Sequence, residues 1–385
     1  MKYLAFALLF IVLIFMVVFF NVQLENNFGS QVRFVNDSEE RGIFYDRGSW
    51  LPLKKIPYKE SFSEYPELTT YFLAMPHAVL SFFYSTNYTR DQYNLVFSLI
   101  TVTLLFASIV LLYNLLGKKK YLAFLMLLPA TFYFTYNRFD ILPVFLSILS
   151  IKFLSEEKYK LSAFFLALGV LSKWYLIILF PIFISLYHSR YKKINWAMIG
   201  IFCLTGFAGI FSTIASGGIE AFLVPYKFHA ARGLNNESLF FLLKKILGSD
   251  LWFGVFFILQ FSVIPFCIFK KIDSFRKAIN WTALAILIFM LFAKFYSPQW
   301  ILWILPFLIL RAKNGKDIFF IVLFDLVTYL YFPVIYDGFR GLFYPIIVIK
   351  TAILLYFIVD IVKDLSMDIN EENQSRPAKN HVANI

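Results

Sequence analysis

Cysteine is nearly absent: 385 residues hold two, Cys203 and Cys267, each inside an apolar run. That leaves no basis for a disulfide framework or a Cys-based zinc site. No glycine-rich nucleotide-phosphate loop is present, and no internal repeat divides the chain into matching halves. Full charges are scarce, at 16% of residues, and gather in short stretches. What fills the chain is apolar: 60% is hydrophobic, 21% is aromatic, and there are 49 Phe. Segments of 15 to 23 apolar residues recur from end to end. That pattern predicts an all-α polytopic membrane protein. The net charge of +12 is not a nucleic-acid signal here, because the basic residues cluster in short loops, as in cytoplasmic loops of membrane proteins.

The chain starts "MKYLAFALLFIVLIFMVVFF". Its apolar part, about 18 residues, is long for a signal-peptide core, and no small-x-small cleavage site comes after it. It is expected to be an uncleaved first transmembrane helix with Lys2 on the cytoplasmic side.

Five basic clusters punctuate the rest of the chain: Lys118 to Lys120, Lys158 with Lys160, Arg190 to Lys193, "KKIDSFRK" (270 to 277) and "RAKNGKD" (311 to 317). The positive-inside rule puts all five in the cytoplasm. Most runs between them are 27 to 37 residues long. One span needs about 20 residues and two need about 40. Hairpins of short helices resolve the parity. They are predicted at Tyr121 to Leu154, Leu161 to Tyr187 and Ala278 to Leu310. Each apex carries a cation: Arg138 in "YNRFD", Lys173 in "LSKWY" and Lys294 in "AKFYSPQ". Short arms of some 11 to 17 residues rise only about 17 to 26 Å, less than the hydrocarbon core of about 30 Å. The apices are therefore expected in the outer half of the membrane, lining a polar pocket. The rival reading of Lys173 is a lysine snorkelling to the surface.

Further spans are expected at Asn94 to Leu116, Trp196 to Ile214, Leu251 to Phe269, Ile318 to Phe332 and Leu342 to Val362. With the first helix and six hairpin arms the count is about 12, with both termini cytoplasmic. Residues 1–362 then form a single membrane domain, and 363–385 a disordered tail. Two long segments remain outside, 21–93 and 215–250. Leu68 to Tyr84 and the stretch "KFHAARGLNNESLFFLLKKIL" (227 to 247) are expected to contribute interfacial helices. Asp37, Glu39, Glu40, Asp46, Glu60, Glu64 and Glu67 all fall in the first segment. A carboxylate-bearing loop over Arg138, Lys173, Arg232 and Lys294 suits one task. The cations hold a phosphate or pyrophosphate leaving group, and a carboxylate acts as base on a hydroxyl. Tyr45, Trp50, Tyr58, Tyr65, Trp174, Tyr175 and Trp300 are candidates to stack on sugar rings, or members of an interfacial aromatic belt.

In this order, "IPYKESFSEYP" (56 to 66), "NRFDILPVFLSILSI" (137 to 151), "LGVLSKWYLIILFP" (168 to 181), "ARGLNNESL" (231 to 239) and "KFYSPQWILWILP" (294 to 306) resemble motifs of the GT-C class of integral-membrane glycosyltransferases. The likeness is to polyprenol-phosphate-mannose-dependent mannosyltransferases and their relatives, over roughly residues 37 to 310. Two positions depart from the pattern: Glu67 stands where a second proline follows Glu-Tyr-Pro, and Leu176 where a proline follows Lys-x-Tyr. The resemblance implies a catalytic acid early in the first outer loop. Asp46 fits by residue type, Glu40 by spacing, and Glu64 comes third. It implies Arg138, Lys173, Arg232 and Lys294 as binders of donor phosphate. Supporting roles fall to Asp140, Tyr58, Tyr65, Tyr175, Glu237, Ser238, Ser297 and Gln299. Asp140 is either the second carboxylate of the pocket or the ion-pair partner that orients Arg138. Several members of this class hold a divalent metal between carboxylates; no ligand cluster here calls for one.

The implied function is inverting transfer of a sugar, mannose first among candidates, from a polyprenyl-phosphate donor to a lipid or glycan hydroxyl. The missing nucleotide loop agrees with a lipid-borne donor. The alternative is a transporter or flippase of a lipid-linked or anionic substrate, since broken helices with polar apices also describe transporters.

Overall fold

The computed structural model describes residues 2–21, 34–248, 252–336 and 340–374. Among them there is no strand, only an isolated bridge between Pro57 and Ser61. Five helices are long and apolar enough to cross a membrane: Arg90–Leu115, Trp196–Ala231, Phe275–Phe292, Gly315–Ile335 and Phe343–Met367. Shorter apolar helices lie at Tyr3–Phe19, Ile141–Ser155, Tyr159–Ser172, Gly254–Cys267 and Pro298–Arg311. This is the architecture of an α-helical membrane protein.

The first helix, α1 (Lys2–Phe19), is apolar on every face. The segment between residues 34 and 89, expected outside, holds two helices, α2 (Ser38–Gly48) and α3 (Glu67–Tyr84). Sequence reasoning anticipated the second and missed the first. α2 starts where the Asp37 side chain accepts the Glu40 N–H (3.3 Å), with Glu39 and Glu40 in its first turn. α4 (Arg90–Leu115) starts at a capping box in which Thr89 and Gln92 bond each other's backbone N–H groups.

Helices flank each of the three predicted apices, but only the third pair packs arm on arm. At the first, a 3₁₀ stretch (Gly117–Leu127) leads into α5 (Pro129–Asn137), and α6 (Ile141–Ser155) follows; α5 and α6 splay apart. At the second, α7 (Tyr159–Ser172) and α8 (Phe180–Tyr191) are joined by a short 3₁₀ turn and also splay. Between the second and third run α9 (Trp196–Ala231), α10 (Leu239–Leu247), α11 (Trp252–Phe261) and α12 (Val263–Phe269). The third hairpin joins α13 (Phe275–Phe292) to α14 (Ile301–Arg311). α14 is the centre of the molecule: Ile301 through Ile309 are all buried. Its neighbours α15 (Gly315–Tyr329) and α16 (Phe343–Gln374) close the bundle.

Three expectations need correction. The span set at Trp196 to Ile214 continues as α9 to Ala231, bending at Gly218 with φ +82° and ψ 176°, a conformation open to a residue without Cβ. The polar loop expected there shrinks to residues 232–238. The tail, expected to be disordered from 363, is helical to Gln374, and 375–385 lie outside the described residues.

A charge in the last arms also finds its reason. Asp325 sits inside an apolar helix and is fully buried. It accepts bonds from the Ala130 and Thr131 N–H groups (2.8 and 3.0 Å) and the Thr131 hydroxyl (2.7 Å). It therefore satisfies the free N–H groups at the start of α5, where the helix dipole favours an anion. The basic loops join one another. Lys119 donates to the carbonyls of Ala312 and Lys313 (2.9 and 3.0 Å), and Arg190 to Glu157 and to the Asp273 carbonyl (2.9 and 3.1 Å). They stand at the far ends of the hairpin arms from the apices, about 20 Å away along α7.

Candidate active site

Each cation of the candidate site stands where a helix stops. Arg138 ends α5 in extended conformation (φ −134°, ψ 156°). Lys173 ends α7 (φ −159°, ψ 120°), and Arg232 ends α9 (φ −65°, ψ 125°). Lys294 follows Ala293, which ends α13 (φ −68°, ψ 136°). The C-terminal carbonyls of a helix carry partial negative charge, which favours a cation by about 0.3–1 kcal/mol. So the same residue that turns the chain also aims a positive charge beyond the helix end.

The four cations line one cavity of about 390 Å³. Its walls come from stretches far apart in the chain: the segment before α3, the three apices, the end of α9 and the helices α10, α11 and α13. The lining is of two kinds. Its polar wall holds the four cations, Glu40, Asp140, Ser297 and Gln299. The rest is mostly aromatic, with Phe240, Phe256, Phe257, Phe261, Phe289 and Phe292 brought in by α10, α11 and α13.

Within the polar wall the cations are held unequally. Lys173 donates to the fully buried Asp140 at 2.7 Å and lies 4.4 Å from the centre of the Phe139 ring. It does not snorkel. Asp140 also accepts the Trp303 Nε1–H at 2.8 Å, from the central helix α14. Thus Asp140 orients Lys173, and the expected pairing with Arg138 is not made. Arg138 instead donates to Asp37 at 2.8 Å, with Glu40 at 3.8 Å. Arg232 packs its guanidinium 3.5 Å from the centre of the Phe295 ring, and Lys294 reaches only the Ala230 carbonyl at 3.5 Å. Neither meets a carboxylate within ion-pair distance among the described residues. Burial lowers the Arg232 guanidinium from its ordinary value, and Tyr65, Glu64 and Glu40 oppose that shift. Aromatic rings continue the polar wall. Tyr175 stacks on Trp303 (4.0 Å, 2°), and Trp303 on Trp300 (4.4 Å, 20°). Tyr65 meets Phe139 edge-on at 4.7 Å. Burial, then Glu64, pushes the Tyr65 hydroxyl well up, which keeps it a neutral donor.

The three candidate bases separate. Glu40 lines the cavity with its side chain 30% exposed. Asp46, ranked first from sequence, is exposed on α2 and outside the cavity wall. Glu64 is bound to Arg47 at 2.5 Å, and its carbonyl stands 3.0 Å from His229 Nε2. Of the supporting residues, Tyr65, Asp140, Tyr175, Ser297 and Gln299 are at the cavity; the Ser297 hydroxyl donates to the Gln299 amide oxygen (2.5 Å). Tyr58, Glu237 and Ser238 are elsewhere. Tyr58 donates to the Tyr65 carbonyl and sits 2.8 Å from the Thr70 hydroxyl, closing the loop before α3. Ser238 caps α10, accepting the Phe241 N–H at 3.1 Å. Glu237 is half-buried, its carbonyl accepting from Lys350 (3.1 Å), and desolvation raises its carboxyl above the usual range. Among the described residues no group of three or more His, Cys, Asp and Glu stands close enough to hold a metal ion.

Sequence reasoning missed Asp37, Trp303 and His229 as site residues. Asp37 had a readable signal: an Asx residue followed by two glutamates is a helix N-terminus. Trp303 had none, since its partner lies 163 residues away. A scan against protein-family models and a search of curated proteins returned no match to this chain.

Proposed function

We propose that the protein is a GT-C-type glycosyltransferase acting on a polyprenyl-phosphate sugar, mannose first among candidates. One observation carries the reading: a single cavity lined by both four cations and a cluster of phenylalanines. A lipid-linked phosphate needs both. Its headgroup requires cations, and its isoprenoid chain requires apolar surface removed from water. Arg232 and Lys294, with no carboxylate partner among the described residues, are the cations free to take the phosphate. Lys173 and Arg138 add charge from fixed positions.

Glu40 is the base in this reading. It removes the proton of an acceptor hydroxyl, and that oxygen bonds to the anomeric carbon. The bond from that carbon to the phosphate oxygen breaks, its electron pair leaving on the lipid phosphate. Attack opposite the leaving group inverts the configuration. Asp37 does not compete, because Arg138 and the Glu40 N–H already occupy its two oxygens. The tyrosine–tryptophan stack gives the sugar a flat face.

The basic loops lie at the ends of the hairpins opposite the apices. With those loops cytoplasmic, the cavity faces outward, and twelve spans leave both termini inside. The acceptor is a lipid or glycan hydroxyl at that outer face.

The test is transfer of radiolabelled mannose from polyprenyl-phosphate mannose, in membranes carrying the wild type or Glu40→Gln. Transfer abolished by Glu40→Gln supports the class and the base. Wild-type membranes inert with every lipid-linked sugar tried, yet moving the lipid phosphate across the bilayer, would overturn the reading in favour of a flippase.

A further inference from the structure

A second hollow lies against the outer end of α3, between α3, α7 and α9, with a volume of about 390 Å³. Leu168, Leu171, Leu204, Ala208 and Ser212 are among its lining residues, and Glu67 is the one full charge among them. It flanks the surface of α9, a helix on which only Met198, Thr213, Ala221 and Pro225 are buried. In a bilayer such a helix faces lipid, so the hollow is a groove that lipid chains can enter.

Glu67 is the feature that chains alone do not explain. It is 5% exposed, and its own backbone N–H is the one bond its carboxylate receives among the described residues. It opens α3, where the helix dipole makes an acidic residue tolerable. It is also the position at which this chain departs from the Glu-Tyr-Pro-Pro pattern it otherwise resembles. A buried carboxylate with so little bonding is costly. Burial accordingly raises the Glu67 carboxyl above its usual range.

The two hollows share a wall. Pro66 lines the cation cavity and Glu67 the groove. Their Cα atoms are about 3.8 Å apart. The wall is fixed to the site: the Thr69 hydroxyl donates to the Ser172 carbonyl at 2.7 Å, one residue before Lys173. The charges of the two hollows are opposite in kind. The cavity offers four cations; the groove offers one carboxyl and no cation among its lining residues. A phosphate-bearing headgroup would meet only repulsion at Glu67. An uncharged hydroxyl is matched in either protonation state, donating to the carboxylate or accepting from the acid.

We propose that this groove binds a membrane lipid with an uncharged, hydroxyl-bearing headgroup, its hydroxyl on Glu67 and its chains between α7 and α9. If the transferase reading holds, on which this role rests, that lipid is the acceptor, delivered one residue from the donor cavity.

Binding is tested without turnover. The full chain, in phosphatidylcholine nanodiscs, is exposed to diacylglycerol carrying a diazirine in one acyl chain, and the labelled peptides are mapped. Labelling is expected on 164–171 and 204–212. It should be about tenfold weaker for the methyl ether of the same lipid, which cannot donate a hydrogen bond, and about tenfold weaker in Glu67→Leu. Glu67→Gln, which still bonds a hydroxyl, should keep most of the labelling. If Glu67→Leu does not fold, Ala208→Trp, which fills the groove from α9, should give the same loss. Equal labelling by the alcohol and its methyl ether would overturn the proposal and leave ordinary annular lipid. Selective labelling without any sugar transfer would sustain the site while removing the acceptor role.

Discussion

The molecule gathers cations near carboxylates in two places, and it treats them differently. Beside the basic loops, Arg311 and Lys313 face Asp360 and Asp364. Arg311 bonds both carboxylates, Lys313 bonds Asp364, and Lys313 stands 4.0 Å from Asp360. The Arg311 side chain is 1% exposed, and each cation has a carboxylate. At the cavity, Arg138 and Lys173 are paired, while Arg232 and Lys294 lean on a ring and a carbonyl. A closed set of ion pairs is structural: breaking it exposes a buried charge to nothing. An open set leaves charge available, and in the proposed function a ligand supplies the missing anion. The contrast separates two arrangements that look alike when only charge is compared.

That contrast can be broken at several points. The largest effect expected is at the base. Glu40→Gln should lower kcat by about a hundredfold to ten-thousandfold in the transfer assay, with donor binding retained. Next comes the closed set. Arg311→Met should destabilise the fold by about 3–5 kcal/mol, read as a lower unfolding midpoint in detergent, without changing donor affinity in the folded fraction. The open set should behave in reverse. Arg232→Gln should raise the donor KM by about tenfold to a hundredfold, one charge-assisted bond, while the unfolding midpoint stays within error of wild type. A large loss of stability in Arg232→Gln would put that residue with the closed set. Asp46→Asn is the smallest: transfer within about twofold of wild type, as for an exposed surface position.

The helix breaks are legible in the sequence because a cation inside a run too long for one span and too short for two has few solutions. Lys173, Arg138 and Lys294 stand at or just beyond helix ends, where that reasoning put them. That Glu40 rather than Asp46 lines the cavity is not legible, because it depends on α2, a helix whose polar composition reads as loop. Once α2 exists, Glu40 and Phe44 are four residues apart, on one face, and both line the cavity. Asp46 is six residues from Glu40, about 240° round the axis at 3.6 residues per turn, and faces away. The partners of the buried carboxylates are hidden for a different reason. Asp140 with Trp303, and Asp325 with Thr131, join residues 163 and 194 positions apart. Local pattern cannot rank such pairs. Charge-bearing apices can be read from one dimension; which apex neutralises which requires three.

The position of each cation just beyond a helix end makes the helix a ruler. Removing one residue from the interior of α7 would draw Lys173 back by about 1.5 Å and swing it about 100° around the axis. That is enough to take it off Asp140. A deletion in the basic segments at the opposite ends would leave the length of α7 unchanged. The chain should therefore tolerate many exchanges of one apolar side chain for another within its arms, and almost no change in their length. Variation in this molecule is free in composition and fixed in count.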